Sequence, residues 1–179
     1  MPELKKYKMF INGEWVNSDT EKTFETLNPE NNQPWAIVPE ASASDVDRAV
    51  KAAQHAFEGE WPKLLPKERA RYLRMIGDKL RDNAEHLGKI ETIDTGKLYR
   101  ETYKQANYIA EYYDYYAGLA DKVEGTVLPI DKANMQVITT RVPIGVVAAI
   151  IPWNSQMLLT AVKLAPALAM GNTIVIKSS

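Results

Sequence analysis

Between Ile144 and Lys177 the chain reads IGVVAAIIPWNSQMLLTAVKLAPALAMGNTIVIK. Ile144–Ile151 and Thr173–Ile176 are unbroken apolar runs, as expected of parallel strands covered on both faces. The helix-length stretch between them, Gln156–Met170, has only Gln156, Thr160 and Lys163 as polar interruptions. Such a helix has to be buried on nearly all sides. The segment is therefore expected to form a strand–helix–strand unit with parallel strands. A Pro152-Trp153-Asn154 loop stands where the first strand runs out, and Lys177 where the second does. Ligands of parallel α/β sheets bind at the carboxyl ends of strands. Half of a ligand site is thus on view, and the chain stops at Ser179 before the rest.

The chain upstream is a mixture of short strands and amphipathic helices. Asn12-Gly13 lies between two apolar stretches in KMFINGEWV and predicts a tight β-hairpin over 8–16. An extended piece is expected over Thr23–Asn28, followed by Pro29 and turn material in ENNQP. Ser44 with Asp47 reads as a capping box opening a helix, with Val46, Ala49, Val50, Ala53 and Phe57 on one face. Pro66 opens a longer helix with Leu73, Ile76, Leu80, Ala84 and Leu87 inward, and Asp94-Thr95-Gly96-Lys97 punctuates it. A third helix, about 99–120, carries seven of the nine tyrosines. Tyr103, Ala106, Ala110, Tyr113 and Ala117 have the spacing of a packed face, which favours core or subunit contact over an aromatic ligand box. Gly125 and Pro129 bracket a short strand, and 135–142 (MQVITTRV) alternates as a half-exposed strand should.

Composition excludes several functions. The 22 basic and 23 acidic residues nearly cancel, leaving no electrostatic footprint for nucleic acid or an anionic membrane. The apolar run 142–153 is far shorter than the roughly 20 residues of a spanning helix. Lysines near the N-terminus have no apolar segment behind them, so no secretory signal is expected and the cytoplasm is the expected compartment. With 0 cysteines the chain carries no disulfide, no zinc-thiolate site and no thiol nucleophile.

Two side chains of the terminal unit could do chemistry. Asn154 could donate its amide to a developing oxyanion, or it could cap the helix that follows, a position Asn favours. Lys177 could reach nucleotide oxygens across the strand ends, or simply turn to solvent. No G-x-G-x-x-G follows the first strand, so the usual dinucleotide fingerprint is missing. Lys163 is expected to snorkel or pair within the apolar helix. His55 and His86 sit among charges, and no carboxylate pair is placed for acid–base work.

FINGEW, NP, ETIDTGK, EGTVLPI, PIGVVAAIIPWN, KLAPALAMGNT and VIK follow one another from Phe10 onward. In that order and spacing they resemble the NAD(P)-dependent aldehyde dehydrogenase superfamily, specifically its N-terminal, coenzyme-binding part. The resemblance implies an α/β fold, a Rossmann-like parallel sheet of the aldehyde dehydrogenase type without the glycine fingerprint. It would be truncated, with an N-terminal β-hairpin, helices and an oligomerisation strand arm. The expected divisions are 1–122 for the N-terminal part of the coenzyme-binding domain, 123–143 for the arm and 144–179 for the start of the βαβ unit. The catalytic domain would lie outside the chain.

The same resemblance assigns roles. Asn154 matches the family's oxyanion-stabilising asparagine, and Lys163 a lysine sometimes given a charge-relay role. Ile150, Ile151, Pro152, Trp153 and Asn154 match the strand end along NAD or NADP, Lys177 the lysine that holds the adenine ribose, and Ser179 is counted with them. Thr26, Leu27 and Asp94 match positions that bind K+ or Na+ in some members. In the implied mechanism a cysteine thiolate attacks the aldehyde, hydride leaves for nicotinamide, and a glutamate activates water against the thioester. Full-length members are homo-dimers or tetramers that oxidise small-molecule aldehydes, and neither nucleic acid nor a membrane is an expected partner. This chain supplies only the asparagine of that mechanism, so alone it is expected to be inactive and to bind NAD poorly. A non-catalytic binding or oligomerisation module and a CoA-acylating relative are the alternatives. PWNSQ replaces the PWNFP of many members near the substrate tunnel, leaving the aldehyde open. Ser178-Ser179 replaces the common Pro-Ser, and the position that often selects NAD over NADP lies one residue further on.

Overall fold

A computed structural model describes residues 4–179. The N-terminal strands are β1 (Lys5–Lys6), β2 (Met9–Ile11), β3 (Glu14–Val16), β4 (Thr23–Asn28) and β5 (Gln33–Pro39). β2 and β3 form the expected antiparallel hairpin, with Phe10 opposite Trp15. Asn12 and Gly13 both have positive φ, 54° and 81°, as a two-residue turn of this hand requires. β4 matches expectation, but β5 takes up Gln33 and Pro34 from the expected turn material in ENNQP and runs on to Pro39. It pairs antiparallel to β4 and parallel to β1, giving the order β1-β5-β4. Its two prolines hid it. Pro34 is tolerated because a register shift between Thr26 and Leu27 lets the ladder skip a step there.

Five helices follow: α1 (Ala43–Glu58), α2 (Pro66–Asp82), α3 (Ala84–Thr95), α4 (Tyr99–Leu119) and, later, α5 (Gln156–Ala169). α1 begins earlier than Ser44. Its N-cap is Ser42, whose hydroxyl accepts from the Asp45 N–H while the Asp45 carboxylate accepts from the Ser42 N–H. The capping box is real but two residues upstream of the expected one. Asp45 prevails over Asp47 because the Ser18 hydroxyl also reaches it, at 2.7 Å. The single long helix expected from Pro66 breaks at Asn83 into α2 and α3.

α2, α4 and α5 share one core, in which Leu73 and Ala70 meet Ile109, Tyr113 and Ala117, and these meet Ala161, Ala165 and Ala169. Small residues set the spacing. A Cβ on Gly77 would lie 3.1 Å from the Ala110 carbonyl, and one on Gly88 would lie 3.0 Å from the Tyr103 backbone. The packed face of α4 is as expected at Ala106, Ala110, Tyr113 and Ala117, whereas Tyr103 is exposed and Thr102 and Ile109 take part instead.

Two short strands, β6 (Val127–Leu128) and β7 (Val137–Ile138), pair antiparallel. The strand expected over 135–142 is thus reduced to its centre. Gly125 is required beside this ribbon, because a Cβ there would meet the Thr139 carbonyl at 1.8 Å. Val127, Met135 and Ile138 stand exposed on it.

The terminal unit forms as expected: β8 (Val146–Ile150) and β9 (Thr173–Lys177) run parallel, joined by α5. α1 packs on the pair as well as α5. Coverage is less complete than the apolar sequence suggests. Ala149 and Ile151 are buried, but Ile150 and Ile176 are exposed. α5 buries the stripe Ala161, Ala165 and Ala169 and leaves Val162 exposed, rather than being enclosed all round. Among the described residues no helix is long and apolar enough to cross a membrane.

Candidate functional site

β8 and β9 end together. Ile150 is the register partner of Lys177, and the Ile151 N–H donates to the Lys177 carbonyl at 3.0 Å. This places the Pro152-Trp153-Asn154 loop and the Lys177 side chain at one carboxyl edge. Trp153 is 72% exposed and Ile150 69%, an apolar wall beside that edge. Pro152, Asn154, Lys177 and Ser179 are exposed as well, and among the described residues Lys177 has no carboxylate partner. Ile151 differs: its side chain is buried, so only its backbone can face a ligand.

The opposite end of the pair is held by Asn172. Its Oδ1 accepts from the N–H groups of Ile144 (2.7 Å) and Gly145 (3.1 Å), and its Nδ2 donates to the Ala167 carbonyl at 3.2 Å. Gly171, at φ 85°, lets the chain leave α5 so that Asn172 can take this place. The Asn172 N–H donates back to Ala167 and the Gly171 N–H to Leu168, the paired bonds of a glycine-terminated helix.

Asn154 does not cap α5. The N-cap is Ser155, and the Asn154 amide makes no hydrogen bond among the described residues. The capping alternative is therefore not what the fold uses, and the amide is free to meet a ligand. Lys163 is half-buried on α5 and forms no salt bridge among the described residues, so of its two expected states snorkelling fits better than pairing.

Behind the loop lies a polar cluster whose role spacing did not reveal. The Ser155 hydroxyl, buried, accepts from Lys97 Nζ at 2.5 Å and from Gln105 Nε2 at 3.2 Å. Lys97 Nζ is also 3.6 Å from the carboxylate of Glu91. Glu91 is buried, the Lys97 ammonium and the Met157 N–H face its carboxylate without completing a well-formed hydrogen bond, and burial raises its carboxyl above the ordinary value despite them. One signal was available: Glu91 shares a helical stripe with Ala84 and Gly88, the buried face of α3. Next to this cluster Gln156 donates to one oxygen of Asp94, while the Thr26 hydroxyl donates to the other at 3.0 Å. Thr26 and Asp94, separated by 68 residues, are thus brought together. Leu27 follows Thr26 at the register shift in β4, with an exposed side chain. No cluster of three acidic, His or Cys side chains suited to a metal occurs among the described residues.

The Asn154 loop and Lys177 thus share one strand edge without a glycine fingerprint. Residues 15–179 match the aldehyde dehydrogenase family. The chain belongs to that family. It is 47% identical over 177 residues to a (Z)-2-((N-methylformamido)methylene)-5-hydroxybutyrolactone dehydrogenase of Acinetobacter baylyi, covering 98% of this chain and 36% of that protein. The fold of a betaine aldehyde dehydrogenase from Staphylococcus aureus in complex with NAD+ matches with a TM-score of 0.92 at 38% identity, covering 96% of this chain and 34% of that one. A 3,6-anhydro-L-galactose dehydrogenase matches with a TM-score of 0.92 at 32% identity, covering 98% and 36%. This aldehyde dehydrogenase chain thus spans about a third of the length of the relatives it matches. The α/β, Rossmann-like architecture expected from sequence is that of the family.

Proposed function

We propose that the chain supplies the cofactor-side wall and the oxyanion amide of an NAD(P)-dependent aldehyde oxidation. The observation that carries this is the pairing of Ile150 with Lys177, which sets the Asn154 loop and a free ammonium on one edge in a member of this family. The residues at that edge fit a dinucleotide by chemistry. An exposed apolar surface from Ile150, Pro152 and Trp153 suits a flat ring or sugar face, and Lys177 suits ribose hydroxyls. Ser179 and the Ile151 backbone lie on the same side. The nicotinamide ring, when bound, accepts the hydride of the aldehyde carbon.

The Asn154 amide N–H donates to the carbonyl oxygen as the aldehyde carbon becomes tetrahedral under attack by a thiolate. That thiolate comes from outside this chain, which has 0 cysteines. A preorganised donor of this kind is worth about 100- to 1,000-fold in rate. Lys163, on α5, is assigned a charge-relay role. A K+ or Na+ ion at Thr26, Leu27 and Asp94 belongs to the same reading, supported by the meeting of Thr26 and Asp94. The exposed Val127, Met135 and Ile138 of the β6–β7 ribbon support a subunit contact, and a homo-dimer or tetramer as the working state.

The test uses the full-length protein with NAD or NADP and a panel of aliphatic, aromatic and amino aldehydes. Acid and NAD(P)H form together in the parent, and Asn154→Ala slows the reaction by about 100-fold or more with cofactor affinity kept. Lys177→Ala raises the cofactor KM. An Asn154→Ala rate equal to the parent's sinks the oxyanion role.

A further inference from the structure

We propose that Lys97 is a positioning residue for Asn154, acting through the hydroxyl of Ser155. The proposal rests on the oxyanion reading of Asn154 given above. The Asn154 side chain is exposed and makes no hydrogen bond among the described residues, so the backbone on either side sets where its amide points. On one side is Trp153, exposed and, among the described residues, without a side-chain hydrogen bond. On the other is Ser155, buried and gripped by its side chain.

The grip comes from outside the loop. Lys97 Nζ at 2.5 Å and Gln105 Nε2 at 3.2 Å both donate to Ser155 Oγ. Ser155 holds the N-cap position of α5, yet its hydroxyl makes no bond to the helix backbone. It is turned to Lys97 instead. Lys97 is itself held: Gly96, at φ 74°, turns the chain sharply after α3, and the buried Glu91 carboxylate stands 3.6 Å from the ammonium. Burying that carboxylate costs more in lost hydration than the Lys97 ammonium returns. Holding the lysine against Ser155 is a task its position fits.

A charge-assisted hydrogen bond is short and directional. Here it fixes the residue next to the amide, so the amide is aimed before any ligand arrives. Without it the loop can turn about the Asn154–Ser155 peptide, and a displacement of about 1 Å at a reacting group costs about 100-fold in rate. PWNSQ, with serine after the asparagine, is what makes this coupling chemically available.

Single-turnover NAD(P)H formation in the full-length protein tests the proposal, with the best aldehyde of the panel above, alongside Tm and cofactor Kd. Lys97→Met and Ser155→Ala each slow the burst about tenfold or more at unchanged cofactor Kd. The double variant is no slower than the slower single one, since both break one coupling. Ser155→Thr, which keeps a hydroxyl, restores most of the rate. A Ser155→Ala burst within about twofold of the parent, with Asn154→Ala slow, overturns the positioning role alone. If Asn154→Ala is also as fast as the parent, the oxyanion reading falls and this proposal with it.

Discussion

Asn172 and Gly145 grip each other from two sides: the Asn172 side-chain oxygen accepts the Gly145 N–H at 3.1 Å, and the next residue, Thr173, donates its N–H to the Gly145 carbonyl at 3.1 Å. One amide thus starts the parallel ladder whose other end carries the Asn154 loop. Trp61 adds a third tie by donating its indole N–H to the Asn172 carbonyl at 3.0 Å.

Asn172→Ala strands the buried Gly145 N–H, whereas the N–H of the exposed Ile144 can turn to water. One unsatisfied buried group costs about 1–3 kcal/mol, and a loss of that order is expected in urea unfolding. Asn172→Asp keeps the acceptor, and when protonated it can also donate to the Ala167 carbonyl, so it should cost less than Asn172→Ala at a pH where that carboxyl is protonated. Equal losses for the two variants would show that the acceptor is not what matters.

Asp45 makes stability depend on acid. Its carboxyl lies well below the usual range because the Ser42 N–H and the Ser18 hydroxyl donate to it, with Arg48 and the Asp19 N–H assisting. The folded state therefore favours the ionised form. That contribution is complete above the unfolded value, about 4, and fades as pH falls below it. Asp45→Asn should be clearly less stable than the parent at pH 7, with the gap narrowing below pH ~4. A gap independent of pH would refute this account.

Glu91 has the opposite sign. Burial raises its carboxyl, so folding favours the protonated form, and that contribution is full below about pH 4 and lost as pH rises through the folded value. Glu91→Gln should match the parent near pH 4 and have the higher Tm, by a few degrees, at pH 7. A lower Tm at pH 7 would mean that the Lys97 contact outweighs desolvation.

Gly88 lets α3 lie against α4. Its missing Cβ would sit 3.0 Å from both the Cα and the amide nitrogen of Tyr103, and backbone atoms cannot step aside as a flexible side chain can. Gly88→Ala is expected to destabilise by about 1–3 kcal/mol despite alanine's better helix propensity. Measured stabilisation would show that the helices can separate at little cost.

The apolar runs, the Asn-Gly turn and the spacing of α4 declared their elements because each pattern is local. β5 did not, since Pro34 breaks the strand signal and only the shifted register with β4 accommodates it. The choice of Ser42 over Ser44 was equally hidden. Both serines have an aspartate three residues on, and it is Ser18, 27 residues before Asp45, that stabilises one of the two boxes. The break at Asn83 lay inside a continuous apolar stripe, so periodicity ran straight through it.

By itself the sequence determined the terminal parallel unit, the hairpin, the family to which the chain belongs and the two side chains at the strand ends. Periodicity and residue type record which faces must be buried, and those are properties of neighbouring positions. Tertiary structure alone decided that Asn154 is free rather than a cap. It also decided that Lys97 and Gln105 converge on Ser155 with Glu91 beside Lys97, and that Thr26 meets Asp94. Those contacts join residues up to 68 positions apart, and no local pattern encodes which distant donor will reach a given oxygen. Packing of α3 and α4 around the start of α5 settles that.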